Sequence, residues 1–125
     1  MAQTNTRPVF LNLFQIKLPI TGVVSIAHRI SGVLLFFSMP IALYLLGLSL
    51  SSEAGFQRSV EIVHSLPFRV LTLLVIWALL HHLLAGLRYL LIDLDLGVRK
   101  APARASALSV IVGGLVLTLL AGLLL

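Results

Sequence analysis

The sequence predicts an all-α membrane protein built on three transmembrane helices, and three observations lead there. Of the 125 residues, 59% are hydrophobic and only 10% are charged, with a mean hydropathy of +1.11. A soluble domain this small leaves too much of its area in water to hide that much apolar surface. The apolar residues are also gathered into three runs, about residues 21–50, 67–93 and 106–125, each long enough at 1.5 Å per residue to cross a hydrocarbon layer of ~30 Å. Finally, the basic residues behind the net charge of +5 flank these runs. They therefore read as topology determinants, which argues against nucleic acid as a partner. There are no cysteines, so disulfides, thiolate-held iron–sulfur clusters and cysteine nucleophiles are excluded on this chain.

Taken in order, residues 1–20 read as an extended, partly amphipathic lead-in. Arg7-Pro8 and Leu18-Pro19 oppose a regular helix there, and Phe10, Leu11, Leu13, Phe14 and Ile16 lie at an interface or against a partner. No cleavable signal pattern is present, because the first long apolar run begins too late. The first span follows, with a kink expected at Pro40, whose missing N–H removes one internal bond. Residues 51–66 are polar enough for a loop carrying a short surface helix. Pro67 suits the first turn of the second span. Asp93 to Ala105 reads as a second polar connection, and Ser106 as the N-cap of the third span. Arg7 and Lys17 lie on the N-terminal side, and Arg99, Lys100 and Arg104 in the second connection. The first connection mixes Arg58 and Arg69 with Glu53 and Glu61. The N-terminus is therefore expected in the cytoplasm and the C-terminus on the outer side. A single domain, residues 1–125, accounts for the chain.

Several polar residues sit where a bilayer penalises them, by roughly 2.5–3.5 kcal/mol for an Arg or Asp near a helix centre. Thr21, Ser25, His28, Arg29 and Gly32 recur at helical spacing in the first span. The second span carries two adjacent rows: His82, Gly86, Tyr89 and Asp93, and beside it His81, Ala85, Arg88 and Ile92. The two spans run antiparallel, so these groups can meet at a similar depth in the inner half of the membrane. An imidazole is a standard axial ligand for haem iron. A glycine one turn after a histidine leaves room for a flat macrocycle, and arginine with histidine can neutralise propionates. Taken alone, His81 and His82 serve equally well, and either also serves as an interhelical hydrogen-bond donor. Arg88 is near enough to the inner surface to snorkel. Arg29 lies deeper and wants an anionic partner.

With those residues in view, nearly the whole chain resembles the cytochrome b556 large anchor subunits of succinate dehydrogenase, respiratory complex II. The resemblance runs through Arg7-Pro8-Val9 and Leu18-Pro19-Ile20-Thr21. It is sharpest at Ser25-Ile26-Ala27-His28-Arg29-Ile30-Ser31-Gly32, which follows the pattern S-x-x-H-R-x-[ST]-G. It returns at His82-Leu83-Leu84-Ala85-Gly86-Leu87-Arg88, pattern H-x-x-x-G-x-R, and at Asp93. The chain departs from many relatives in having Tyr89 where they have a histidine, and in carrying an extra His81.

The resemblance implies a haem-binding helical bundle shared with a small anchor subunit. In it, His82 is the axial ligand of haem b, favoured over His81 by the Gly86 spacing. His28 and Arg29 lie at the haem propionates, and Ser25 and Arg29 line the site of a quinone, ubiquinone or menaquinone. It further implies three partners, namely a flavoprotein subunit that oxidises succinate, an iron–sulfur subunit and the small hydrophobic anchor. The expected location is a bacterial cytoplasmic membrane. Asp93 is a candidate for proton delivery. The competing expectations are an anchor of fumarate-reductase type and a haem-free anchor whose histidines only pack.

Overall fold

The computed structural model describes residues 17–125, and among these it is entirely helical. The reading of residues 1–16 as an interfacial lead-in lies outside the described residues. Lys17, Leu18 and Pro19 are extended, and Pro19 caps the first helix, α1 (Ile20–Ser51). α1 continues without a break across Pro40. At 1.5 Å per residue its 32 residues extend about 48 Å, more than a bilayer core requires.

The first connection is mostly helix. Ser52 turns the chain, its hydroxyl accepting the N–H of Gly55 at 3.0 Å. This side-chain cap starts the amphipathic α2 (Glu53–His64), with Glu53 in its first turn where the helix dipole favours an anion. α3 (Leu66–Asp93) follows after Ser65, with Pro67 in its first turn as the sequence led us to expect.

The second connection is shorter than its polarity suggested. It spans only Leu94 to Arg99, and α4 (Lys100–Gly122) begins six residues before the expected start. Two left-handed residues, Asp95 (φ 59°) and Gly97 (φ 76°), make this tight reversal. Asp is among the few side chains that tolerate that region, and glycine enters it at no steric cost. The N-cap of α4 is Arg99, whose side chain makes no cap bond. Ser106, expected as the cap, instead lies inside the helix with its hydroxyl 3.2 Å from the Ala103 carbonyl. The charges at Lys100 and Arg104 misled because interfacial turns of a membrane helix carry them readily. Helix α4 also ends at Gly122, short of the expected Leu125.

Helices α1, α3 and α4 are long and apolar enough to cross a membrane. Their packing places α3 between α1 and α4, while α1 also touches α4. Val24, Ala85, Ala107 and Val110 form the buried core, with Ile20, Leu84, Tyr89 and Ile111 against it. Two of those four core residues are alanines. Small residues let helix backbones approach closely, which is how helices associate in lipid where apolar burial supplies little drive. Large apolar side chains such as Phe36, Phe37, Leu43, Leu87 and Leu119 point outward, as suits a protein solvated by lipid and by other helices.

Candidate functional site

The N-terminal half of α1 and the C-terminal half of α3 bring His28, Ser31 and His82 together. The imidazoles of His28 and His82 stack with centroids 4.1 Å apart and planes 14° apart. The expectation that the two spans meet at this depth is thus met in the geometry. Gly32 keeps the contact close, since a Cβ there would stand 3.1 Å from His82 Cε1 and the ring would have to give by a few tenths of an ångström. Gly86, one turn beyond His82, lies beneath the His28 ring, where a Cβ would stand 3.9 Å from Nε2.

The proton on His82 follows from its neighbours. Its Nδ1 is 3.2 Å from the His28 carbonyl oxygen and 3.2 Å from Ser31 Oγ. A carbonyl only accepts, so Nδ1 must donate. The Ser31 hydroxyl gives its own proton to the same carbonyl at 2.7 Å, which leaves its lone pairs to accept from Nδ1. With Nδ1 protonated, the lone pair resides on Nε2. No hydrogen bond among the described residues engages that atom, and His82 is only half-buried. A fixed Nδ1–H with a free Nε2 is the tautomer a metal ligand needs.

His81 is arranged differently. It is 2% exposed, stacked on Trp77 at 5.4 Å, and its Cα and Cβ meet α4 at Gly114. The Val24 backbone of α1 lies alongside, yet Nε2 is buried without a hydrogen bond of standard geometry. It is closed inside the chain's own three-helix core, where nothing large can reach it. Of the two imidazoles, His82, favoured in the sequence by the Gly86 spacing, is the more accessible.

The remaining expected residues divide. Ser25 is half-buried and Arg29 exposed, one turn apart on α1. The ion pair among the described residues, Arg58 with Glu61, lies far off on α2. Asp93 is exposed at the end of α3. Tyr89 packs edge-on to His28 at 5.3 Å, and its hydroxyl is buried without a partner among the described residues. Arg88 does not snorkel. It is 6% exposed, and its Nε donates to Ser106 Oγ at 3.0 Å and its Nη2 to the Ala103 carbonyl at 3.2 Å.

Sequence reasoning missed the part played by Ser31, which is fully buried. The available signal was its place three residues after His28, within reach of that carbonyl. No trio of His, Cys, Asp or Glu converges on a metal position among the described residues.

Replacing Gly32 by leucine should drive His82 off its anchor. Overpacking of this kind costs about 1–3 kcal/mol, so the thermal-unfolding midpoint in detergent should fall, while Gly32→Ala shifts it little.

The chain was compared with known proteins. Residues 3–121 match the family model described as succinate dehydrogenase/fumarate reductase transmembrane subunit. The chain is 35% identical over 117 residues to the succinate dehydrogenase cytochrome b556 subunit of Coxiella burnetii, covering 93% of this chain and 94% of that one. It is 35% identical over 123 residues to the protein of the same name from Paracoccus denitrificans, covering 96% and 94%. Its identity to the Rickettsia felis counterpart is 29% over 116 residues.

Proposed function

Because the chain belongs to the succinate dehydrogenase/fumarate reductase transmembrane-subunit family, we propose that it is the cytochrome b membrane anchor of a succinate:quinone oxidoreductase. One observation carries the reading: His82 is held at Nδ1 by the His28 carbonyl and Ser31, and no hydrogen bond among the described residues engages its Nε2. That geometry suits an axial ligand of haem b. When bound, such a haem supplies a one-electron redox centre within the bundle.

This chain's residues then divide the work. His82 presents Nε2 toward the iron, and Ser31 holds the ring in place. His28 and Arg29 provide donors for the propionates, and Gly86 leaves the approach clear of side chains. Ser25 hydrogen-bonds a quinone oxygen, and Arg29 stabilises negative charge as it develops there. Succinate oxidation belongs to a flavoprotein partner, and electrons reach the quinone through an iron–sulfur partner at the cytoplasmic face. A small hydrophobic anchor would contribute the iron's other ligand. The whole chain acts as one membrane domain in a bacterial cytoplasmic membrane. Its basic α3–α4 connection faces the cytoplasm, and α2 and the C-terminus face outward.

The test is a reduced-minus-oxidised optical spectrum of the complex purified through a tag on this chain, with succinate-driven quinone reduction measured on the same sample. A b-type band together with ubiquinone reduction supports the proposal. Quinone reduction without the band leaves a haem-free anchor. Activity confined to fumarate reduction by a low-potential quinol makes it a fumarate-reductase anchor.

A further inference from the structure

On the far side of α3 from His82, a cleft of about 390 Å³ opens between α3 and α4. Successive residues on a helix turn by about 100°, so Leu84 and Leu91 point roughly 160–180° away from His82. Leu84, Leu87, Leu91 and Val110 form the aliphatic walls. No aromatic ring lines the cleft. Its one charged group is the Arg88 guanidinium, with the hydroxyls of Ser106 and Ser109 beside it.

Arg88 is unusual in its company. It is a buried cation whose surroundings, a serine hydroxyl, a backbone carbonyl and the Tyr89 ring 5.5 Å from its Cζ, bring it no anion. No carboxylate comes within ion-pair distance of it among the described residues. No hydrogen bond among these residues uses Nη1. An unpaired buried charge is costly, which makes a missing anion the natural complement. Depth narrows the choice. Arg88 lies five residues inside Asp93, so its Cα is about 7.5 Å from the helix end. That level is less than a turn and a half from the helix end, close to the lipid headgroups. Arg99, Lys100 and Arg104 flank the same end of the helix pair and add to the positive potential.

We propose that this cleft binds an anionic phospholipid, its phosphate on Arg88 and Ser106 and its acyl chains along Leu84, Leu87 and Leu91. A basic pocket between transmembrane helices on the inner side recognises such headgroups by charge, while zwitterionic lipids satisfy it less well. The aliphatic walls suit acyl chains better than a quinone ring, which favours aromatic neighbours. Facing away from the His28–His82 pair, the site is independent of haem and quinone.

The experiment uses the whole complex, delipidated in detergent and then exposed to phosphatidylglycerol or phosphatidylcholine, with bound lipid counted by native mass spectrometry. Wild type should retain phosphatidylglycerol about tenfold better than phosphatidylcholine, the preference that a charge-assisted hydrogen bond supports. Arg88→Gln should erase the preference. Because that variant also cuts the α3–α4 tie, Ser109→Phe serves as a second probe. It fills the cleft mouth while leaving Arg88 and Ser106 untouched, and should lower phosphatidylglycerol retention with the optical spectrum unchanged. Equal retention of both lipids by wild type overturns the proposal. So does undiminished retention in Ser109→Phe. Loss of subunit assembly in Arg88→Gln with wild-type lipid retention would mean that a partner's carboxylate is the anion, and would also overturn it.

Discussion

His82→Ala should abolish the low-spin b-type absorption band of the purified complex, and His81→Ala should leave that band in place. The contrast rests on where each imidazole can reach. His82 offers Nε2 from a half-buried ring whose other nitrogen is pinned by the His28 carbonyl and Ser31. His81 is sealed against Trp77 and Gly114. On the proposed reading, removing the His82 ring takes away the iron's ligand from this chain, so the low-spin band should be lost. Removing the His81 ring empties a packed position, which costs about 1–3 kcal/mol of stability. It should appear as a lower thermal midpoint with an unaltered band. The reverse pattern would transfer the ligand to His81 and dismiss the tautomer argument. Ser31→Ala is the finer probe. It removes one of the two acceptors at Nδ1, and losing a hydrogen bond that orients a ligating ring typically costs about 10–100-fold in metal affinity or activity. The band should therefore survive while haem is lost more readily on dilution.

Arg29→Leu should depress succinate-driven quinone reduction by about 10²–10³-fold, the usual consequence of removing one donor aimed at a developing oxyanion. Succinate oxidation measured with a soluble dye should persist, because the proposed function puts that reaction on partner subunits. The expectation comes from position. Arg29 is nine residues beyond the start of α1, about 13.5 Å along the helix. It is exposed on the chain and stands one turn from Ser25. A cation at that depth with no carboxylate beside it is held for an anionic or polarised ligand. If Arg29→Leu retained full quinone reduction but released haem, the guanidinium would belong to the propionates alone.

The three spans were legible because lipid imposes the same demand on every residue of a helix, and an apolar run of sufficient length satisfies it. The polar rows on α1 and α3 were legible for the same reason, as violations of that demand. The start of α4 was not, since Lys100 and Arg104 sit in turns where a helix and a loop have equal claim to charge. Ser106 has the chemistry of an N-cap, and only the fold reveals that the hydroxyl serves Arg88. Arg88 in turn could be placed on a helix but not beneath α4. The choice between His81 and His82 depended on which row faces the interior, and adjacent residues 100° apart differ too little in pattern for the sequence alone to decide. Ser31 sat within a recognised motif, yet its value lies in a carbonyl it shares with a residue on another helix.

That shared carbonyl also bears on how the protein is made. The His28 carbonyl and the His82 ring are separated by 54 positions in the chain. At about 5–20 residues per second, the ribosome needs roughly 3–10 s to supply the second after the first. During that interval α1 stands in the bilayer with His28 lacking the His82 ring it stacks on. The nascent helix is therefore at its most vulnerable to membrane proteases before α3 has entered, and a pause placed between the two spans should lower the yield of assembled complex.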